Sequence, residues 1–355
     1  CTVADENGRI GWTIMGILPR RVGFDGRLPV SWADGTRSWD GWLDPGEVPE
    51  IIQPASGRIW TANARVVDEA GLAILGDGGY ALGARARQIR DDLHALEKAT
   101  EEEMLAVQLD DRAHYLSRWR EFLLHLLTPE ALQDRPQRRE FRRLVDETWT
   151  GRASVDSVSF RLVRAFRRKA SAVIFAILTT PVRKEAPGFK YVGRQGEGPL
   201  WELVTRRPEN LLHPAFDSWE ALLLRIVDAT VEELLAGKDI KLADLTWGRR
   251  NTVRVNHPLG MALPFLGRWL NAPEEQRPGA GNMPRFQAVD GGASERMVVS
   301  PGHEEKGLFH MPGGQSGHFL SPHYLDGHRA WAEGKPTPFL PGPVRQTLIL
   351  KPRTD

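Results

Sequence analysis

The sequence has little cysteine, little net charge and no long apolar run. Cys1 is the only cysteine in 355 residues, which excludes a disulfide within the chain and a zinc site built from several thiolates. The 47 Lys and Arg nearly balance the 46 Asp and Glu, so no overall field draws the chain to nucleic acid or to an anionic membrane surface. No apolar run reaches the ~20 residues of a membrane-spanning helix. The sequence therefore predicts a globular protein with neither nucleic acid nor a membrane as partner.

What is present divides the chain into three sections. Strands and Gly/Pro-rich loops are expected over residues 1–80, with strands at 9–15 and at 56–67, where the second runs into a turn. Mainly helices are expected over 81–245, because apolar residues recur there at three- and four-residue spacing. Strands and loops return over 246–355, including "RMVVS" and "QTLIL". This order predicts an α+β protein whose first and last sections share one sheet that the helices cover.

Two helix starts in the middle section are marked by capping residues. Thr100 precedes three glutamates and is the expected N-cap of one helix. A second helix is expected to begin at Asp217 or Ser218 and to end near Gly237.

Two groups of charged or metal-ligating residues have an ordinary structural explanation. We interpret two basic stretches on the predicted helices as solvated helix faces, since the total charge is close to zero. Four histidines near the C-terminal end lie among many Gly and Pro residues, which predicts a loop and no metal site. The basic stretches are Arg135, Arg138, Arg139, Arg142, Arg143 and Arg161, Arg164, Arg167, Arg168, Lys169, and the histidines are His310, His318, His323 and His328.

Cys1 raises two alternatives. A thiol beside a free α-amino group can act as an N-terminal nucleophile, because the amine can deprotonate its own side chain. Free cysteine is also often a small buried apolar residue with a structural role only.

Three stretches of the sequence resemble the penicillin acylase (penicillin amidase) family of N-terminal nucleophile hydrolases. They are "ADENGRIGWTIMGILPRR" with the following "SGRIWTANARVV"; "GARARQI"; and "WGRRNTVRVNHPLG" with "GASERMVVSPG" and "GGQSGHFLSPHYLDGHRAWAEGKPTPFL". The resemblance implies an α+β fold, part of an αββα four-layer sandwich with a helical middle section.

The resemblance also implies an activity, which is hydrolysis of a linear amide through an acyl-enzyme. It places this chain as the C-terminal part of the catalytic β chain, with the nucleophile upstream of Cys1. The implied partners are a small-molecule amide, the α chain and the upstream β-chain segment of the same precursor. No cofactor is required for the chemistry, a structural calcium is possible in the intact enzyme, and the implied location is periplasmic or secreted.

Residue roles follow from the same resemblance. Aligned on "SG.I", the asparagine that stabilises the oxyanion in the family falls on Asn63, and an arginine near the catalytic centre falls on Arg85. Asp77 lies near the place of a calcium-binding aspartate, in a shifted register. Cys1 occupies the place of an ordinary interior residue. Two alternatives stay open: a complete small amidase that uses Cys1, and a noncatalytic scaffold or partner-binding chain.

Overall fold

The N-terminal section is built from short antiparallel strands. A computed structural model describes residues 1–77, 79–190, 195–237 and 239–352. Strand β2 lies at the centre of a three-stranded sheet of order β1-β2-β5, where Trp12 pairs with Thr2 on one side and with Ile51 on the other. Strands β3 and β4 form a separate hairpin. The bounds are β1 Thr2–Ala4, β2 Ile10–Thr13, β3 Pro19–Val22, β4 Ser38–Trp42 and β5 Glu50–Ile52.

Helices make up the middle section, as predicted. Thr100 caps its helix, with its hydroxyl accepting from the backbone N–H of Glu103 and the Glu103 carboxylate accepting in return. Ser218 caps the later helix, with its hydroxyl accepting from the backbone N–H of Ala221 at 3.1 Å. Helix α1, Glu69–Leu75, lies before this section, where only strands and loops were expected. The helices of the middle section are α2 Ala84–Ala95, α3 Glu101–Gln108, α4 His114–Leu126, α5 Pro129–Leu132, α6 Pro136–Glu147, α7 Val158–Leu178, α8 Thr180–Glu185, α9 Glu197–Arg206 and α10 Trp219–Leu235.

The hydrophobic core lies among α4, α6, α7 and α10. Helix α7 has 21 residues and is about 30 Å long, and it contacts the other three. The Trp119 ring lies edge-on to Trp201 and to Phe166, with ring centroids 5.1 and 6.3 Å apart. In the part of the chain that the structure describes, no helix combines the length and the apolar character needed to cross a membrane.

The C-terminal section packs on the helical core through Trp247. The indole of Trp247 is buried and donates to the carbonyl of Gly279 at 2.9 Å, while the backbone N–H of Gly248 donates to Val155 at 2.7 Å. The elements are α11 Trp247–Arg250, β6 Thr252–Val253, α12 Pro258–Ala262, α13 Gly267–Leu270, β7 Glu275–Gln276, β8 Gln287–Ala288, β9 Gly291–Gly292, β10 Arg296–Val298, β11 Leu308–His310 and α14 His328–Glu333.

Three expectations about strands were wrong. Within the described residues, the C-terminal strands pair only with one another, as β6-β7, β8-β9 and β10-β11, so the first and last sections do not share a sheet. Residues 56–67 contain the expected turn but no strand, and "QTLIL" is exposed and forms no strand. Apolar, β-branched residues favour strands only where a second strand is in reach of their backbone groups.

The second basic stretch was also interpreted wrongly. Arg164 and Arg167 are half-buried, so this face of α7 is not simply solvated. The first stretch agrees better with the prediction, since Arg135, Arg139 and Arg143 are exposed.

Candidate active site

Asn63 lies in a tight turn that fixes the direction of its side chain. The backbone N–H of Ala64 donates to the carbonyl of Thr61 at 3.1 Å, and Ala62 and Asn63 both have positive φ, 52° and 61°. Two consecutive positive φ angles are typical of a type I′ turn, in which Asn is common and Ala is strained. The N–H of Ala81 donates to the carbonyl of Asn63 at 2.9 Å. The turn is therefore closed on itself and tied to the segment that leads into α2.

Arg85 lies in the first turn of α2 and reaches back to this turn. One of its terminal nitrogens, Nη2, donates to Oδ1 of Asn63 at 2.5 Å and to the carbonyl of Ala62 at 3.0 Å. Its guanidinium carbon is 5.7 Å from the centroid of the Phe286 ring. Partial burial lowers the pKa of Arg85, but an arginine stays charged at any pH near neutral. The structure thus brings together the two residues, 22 positions apart, that the sequence singled out.

The contact with Arg85 determines which end of the Asn63 amide faces the adjoining cleft. Because a guanidinium has only donors, the amide atom that it touches is the oxygen. Nδ2, with its two N–H donors, is then left for the cleft, and none of the described residues accepts a hydrogen bond from it. The cleft has a volume of about 460 Å³, and its walls include Cys1, Trp12, Ile14 and Tyr80.

Cys1 is on the wall of the same cleft, but its backbone is that of a strand residue. Its nitrogen donates to the carbonyl of Thr13 at 2.7 Å, and the N–H of Thr13 donates to the carbonyl of Cys1 at 3.0 Å. These two bonds extend the pairing of β1 and β2 by one residue beyond Thr2 and Trp12. The thiol is exposed, so the burial expected of a structural cysteine is not found, and the role of Cys1 stays a prediction. The nitrogen donates a hydrogen bond to the neighbouring strand, as a backbone N–H does. An amine that acts as a base for its own thiol is instead held beside that thiol.

Glu197, at the start of α9, is a buried carboxylate that sequence reasoning missed. Its oxygens accept from the Tyr115 hydroxyl at 2.6 Å, from the Trp119 indole at 2.8 Å, from Arg118, and from Nε of Arg167 at 2.9 Å. Burial acts to raise the pKa of Glu197, but the Tyr115 hydrogen bond and the charge of Arg167 outweigh it and lower the pKa below its usual value. This carboxylate therefore stays ionised and joins α9 to α4 and α7.

A pair of aspartates between α2 and α4 was also missed. Arg112 donates from Nε to both oxygens of Asp110, at 2.9 and 3.0 Å, and from Nη2 to Asp92, while Gln88 donates to Asp110. Burial and the neighbouring Asp110 carboxylate raise the pKa of Asp92 to about 6. Burial acts in the same direction on Asp110, but Arg112 lowers its pKa well below the ordinary value. In the sequence, Asp92 and Asp110 each belong to a pair of adjacent aspartates. Such pairs indicate charge, and nothing in their spacing predicts burial.

The described residues do not fit a metal ion. Asp77 accepts a hydrogen bond from a backbone amide of its own loop, and no group of three or more His, Cys, Asp or Glu side chains in the described ranges is placed to hold a metal. A calcium ion stays a prediction for the intact enzyme. The loop predicted for the four histidines holds for His318 and His323, whereas His310 is in β11 and His328 is in α14.

Comparison with known proteins matches the sequence to one family. The sequence profile described as penicillin amidase matches residues 1–343. The chain belongs to the penicillin amidase family. Its fold is also that of a solved family structure, the thermostable penicillin G acylase from Alcaligenes faecalis, with a TM-score of 0.56 at 16% identity over 99% of this chain and 68% of that one. The expected α+β fold of an N-terminal nucleophile hydrolase is thereby confirmed.

The curated relatives are longer than this chain. It is 26% identical over 350 residues to "Penicillin acylase 2 proenzyme" of a Pseudomonas species (strain SE83), covering 95% of this chain and 43% of that protein. It is 27% identical over 379 residues to "Acyl-homoserine lactone acylase QuiP" of Pseudomonas aeruginosa, covering 94% and 43%. The chain thus spans less than half of either relative, and both relatives are named as acylases.

Proposed function

We propose that this chain forms part of an acylase that hydrolyses a linear amide through an acyl-enzyme, with Asn63 as a donor to the oxyanion. The observation that supports the proposal is the contact of Arg85 with Oδ1 of Asn63 at the edge of the cleft. When a nucleophile attacks an amide carbonyl, negative charge develops on the carbonyl oxygen. A neutral N–H donor that is already oriented stabilises this charge without having to reorganise.

Arg85 is the positioning residue in this proposal. Its charge holds Oδ1 of Asn63 and polarises the amide, which makes the Nδ2 hydrogens better donors. The half-burial of Arg85 strengthens this electrostatic effect, because less water screens it. Neither residue accepts or releases a proton during the reaction.

The nucleophile in the proposal is supplied by the part of the whole protein that this chain does not span. Its hydroxyl or thiol forms an ester or thioester with the acyl group as the amine leaves, and water then releases the acid. Partners are an α chain and a preceding β-chain segment from one precursor, and the protein is periplasmic or secreted. The relatives are named for a penicillin and for acyl-homoserine lactones, which are the two amide classes to test first.

The test is amide hydrolysis by the longer protein with single substitutions in this chain. Asn63→Ala is expected to lower kcat on the order of 100-fold or more, as for other oxyanion donors. Asn63→Asp keeps an oxygen for Arg85 but replaces the N–H donors by a second oxygen, so an equal or larger loss is expected. Asn210→Ala changes an exposed asparagine in a short 3₁₀ helix, Glu209–Leu211, and is the matched control, with activity within about twofold of the parent.

Cys1 distinguishes the alternatives. On the proposal, Cys1→Ala in the longer protein retains most of its activity, and this chain alone is inactive. Activity of the chain alone that Cys1→Ala removes contradicts the proposal and favours a complete small amidase. A correctly folded longer protein with no activity on either amide class favours a noncatalytic scaffold.

A further inference from the structure

A second cavity, separate from the cleft at Asn63, lies between α4, α7 and the loop at residues 280–283. Its volume is about 270 Å³, and it shares no lining residue with the cleft. Phe160, Leu116 and Met283 contribute apolar surface, and each of these three side chains is itself buried. Three guanidinium-bearing residues line the cavity as well: Arg164, Arg167 and Arg168.

Two of these three arginines have no acidic partner among the residues that the structure describes. Arg167 is bonded to Glu197 through Nε and Nη2, at 2.9 and 2.5 Å. Arg164 and Arg168 make neither a hydrogen bond nor an ion pair with any residue in the described ranges. The carboxylate that Arg168 influences, Glu233, is hydrogen-bonded to Lys169 at 2.7 Å.

The surroundings of Arg164 are cationic and aromatic. Its guanidinium carbon lies 5.0 Å from the centroid of the Trp247 ring. Burial, followed by the like charges of Arg168, Arg250 and Arg167, lowers the pKa of Arg164 to about 10. A half-buried cation among other cations destabilises the folded protein unless an anion approaches it.

Glu197 has no free capacity to serve as that anion. Its two oxygens already accept from Tyr115, Arg118, Trp119 and Arg167. Two arginines thus share this one carboxylate, and the charge on the cavity side remains positive.

We propose that this cavity binds a small organic carboxylate, with its oxygens on Arg164 and Arg168 and its apolar body against Phe160 and Met283. Planar guanidinium groups match the geometry of a carboxylate. The cavity is several times larger than the ~30 Å³ that one water molecule occupies in the liquid, so it has room for an apolar body as well as a charged end. If an inorganic anion occupied the cavity, the apolar part of the wall would contact only water. This favours an organic ligand, whose apolar body covers that wall.

The experiment compares benzoate with benzamide, which have the same shape and differ in charge. Titration calorimetry and thermal unfolding of the full protein are measured at constant ionic strength, with sodium chloride in place of the ligand as the reference. Benzoate is expected to bind and to raise Tm, while benzamide does neither. Binding is expected to weaken as salt is added, because a charge contact is screened.

Substitutions then locate the binding site. Arg164→Gln and Arg168→Gln are each expected to weaken benzoate binding on the order of 10-fold, the loss of one charge-assisted contact. Arg206→Gln removes an exposed arginine on α9 whose ion pair is with Glu202, and it is the matched control with unchanged binding. Asn63→Ala is also expected to leave benzoate binding unchanged, which separates this cavity from the proposed oxyanion site.

Several results overturn the inference. If benzamide binds as tightly as benzoate, the cavity does not recognise charge. If inorganic phosphate binds as tightly as benzoate, the apolar wall does not contribute to binding. Benzoate binding that survives both arginine substitutions places the ligand elsewhere. Arg168 is exposed, so its variant is expected to fold, and circular dichroism of each variant checks this. An absence of benzoate binding to the folded parent also refutes the proposal.

Discussion

Removal of the negative charge of Glu197 is expected to destabilise the whole helical section. The substitution Glu197→Gln keeps the size of the side chain and leaves an oxygen that Trp119 or Tyr115 can still bond. It leaves Arg118 and Arg167 facing a neutral amide. Removal of one partner from a buried ion pair costs about 3–5 kcal/mol.

The lower end of this range applies here. The Glu197 side chain is 4% exposed, but the Arg118 and Arg167 side chains are 40% and 20% exposed, so water rehydrates part of their charge. We therefore expect a loss of about 3 kcal/mol in the free energy of unfolding. At about 2 °C per kcal/mol for a chain of this size, Tm falls by roughly 6 °C.

The assay is urea unfolding followed by far-ultraviolet circular dichroism, with Glu202→Gln as the control. Glu202 lies on the same helix, α9, and pairs with Arg206 in solvent, so its loss is expected to cost under about 1 kcal/mol. The pKa of Glu197 is lower in the folded state, so its stabilising contribution is present above the unfolded value of about 4.3 and is lost as pH falls further. The Gln variant is thus expected to show a weaker loss of stability below pH 4. If the two variants unfold at the same urea concentration, Glu197 is not the centre of this network.

Three further predictions concern stability. Asp92→Asn is expected to flatten the dependence of unfolding free energy on pH between 4 and 6, measured by urea unfolding. The pKa of Asp92 is raised in the folded state, so protonated Asp92 contributes stability that is lost as pH rises through that window. An unchanged profile contradicts this. Gly248→Ala is expected to cost about 1–3 kcal/mol, since a Cβ there would lie 2.4 Å from Val155 Cγ1; thermal unfolding measures it, and an unchanged Tm refutes it. Ala62→Gly is expected to stabilise by about 0.5–1 kcal/mol by relieving a positive φ, and a lower Tm is the contrary result.

Local signals in the sequence located the helices well. Thr100 caps the helix that it was predicted to cap, and Ser218 is one of the two residues predicted to start the later helix, because an N-cap depends only on residues within one turn. The strand at residues 9–15 was also correct and is β2, Ile10–Thr13.

Strand pairing and buried charge could not be predicted in the same way. The segment at 56–67 has strand-forming residues, but its backbone forms the Asn63 turn and finds no strand partner among the described residues. Glu197 and Asp92 look like ordinary surface acids in the sequence, and only the packing of helices distant along the chain makes them buried. Asn63 and Arg85 were found through a motif resemblance, and their contact depends on the turn and on α2 starting at Ala84. The domain boundaries at residues 80 and 245 stay a prediction.

The exposed thiol of Cys1 has a practical consequence for spectroscopy. As the chain holds one cysteine, a maleimide dye attaches at a single known position on the wall of the Asn63 cleft. Both backbone groups of Cys1 are paired with Thr13, so the attachment point of the dye is anchored to the sheet at the wall of the cleft. Fluorescence from that one position reports directly when a molecule enters the cleft, without any engineered cysteine.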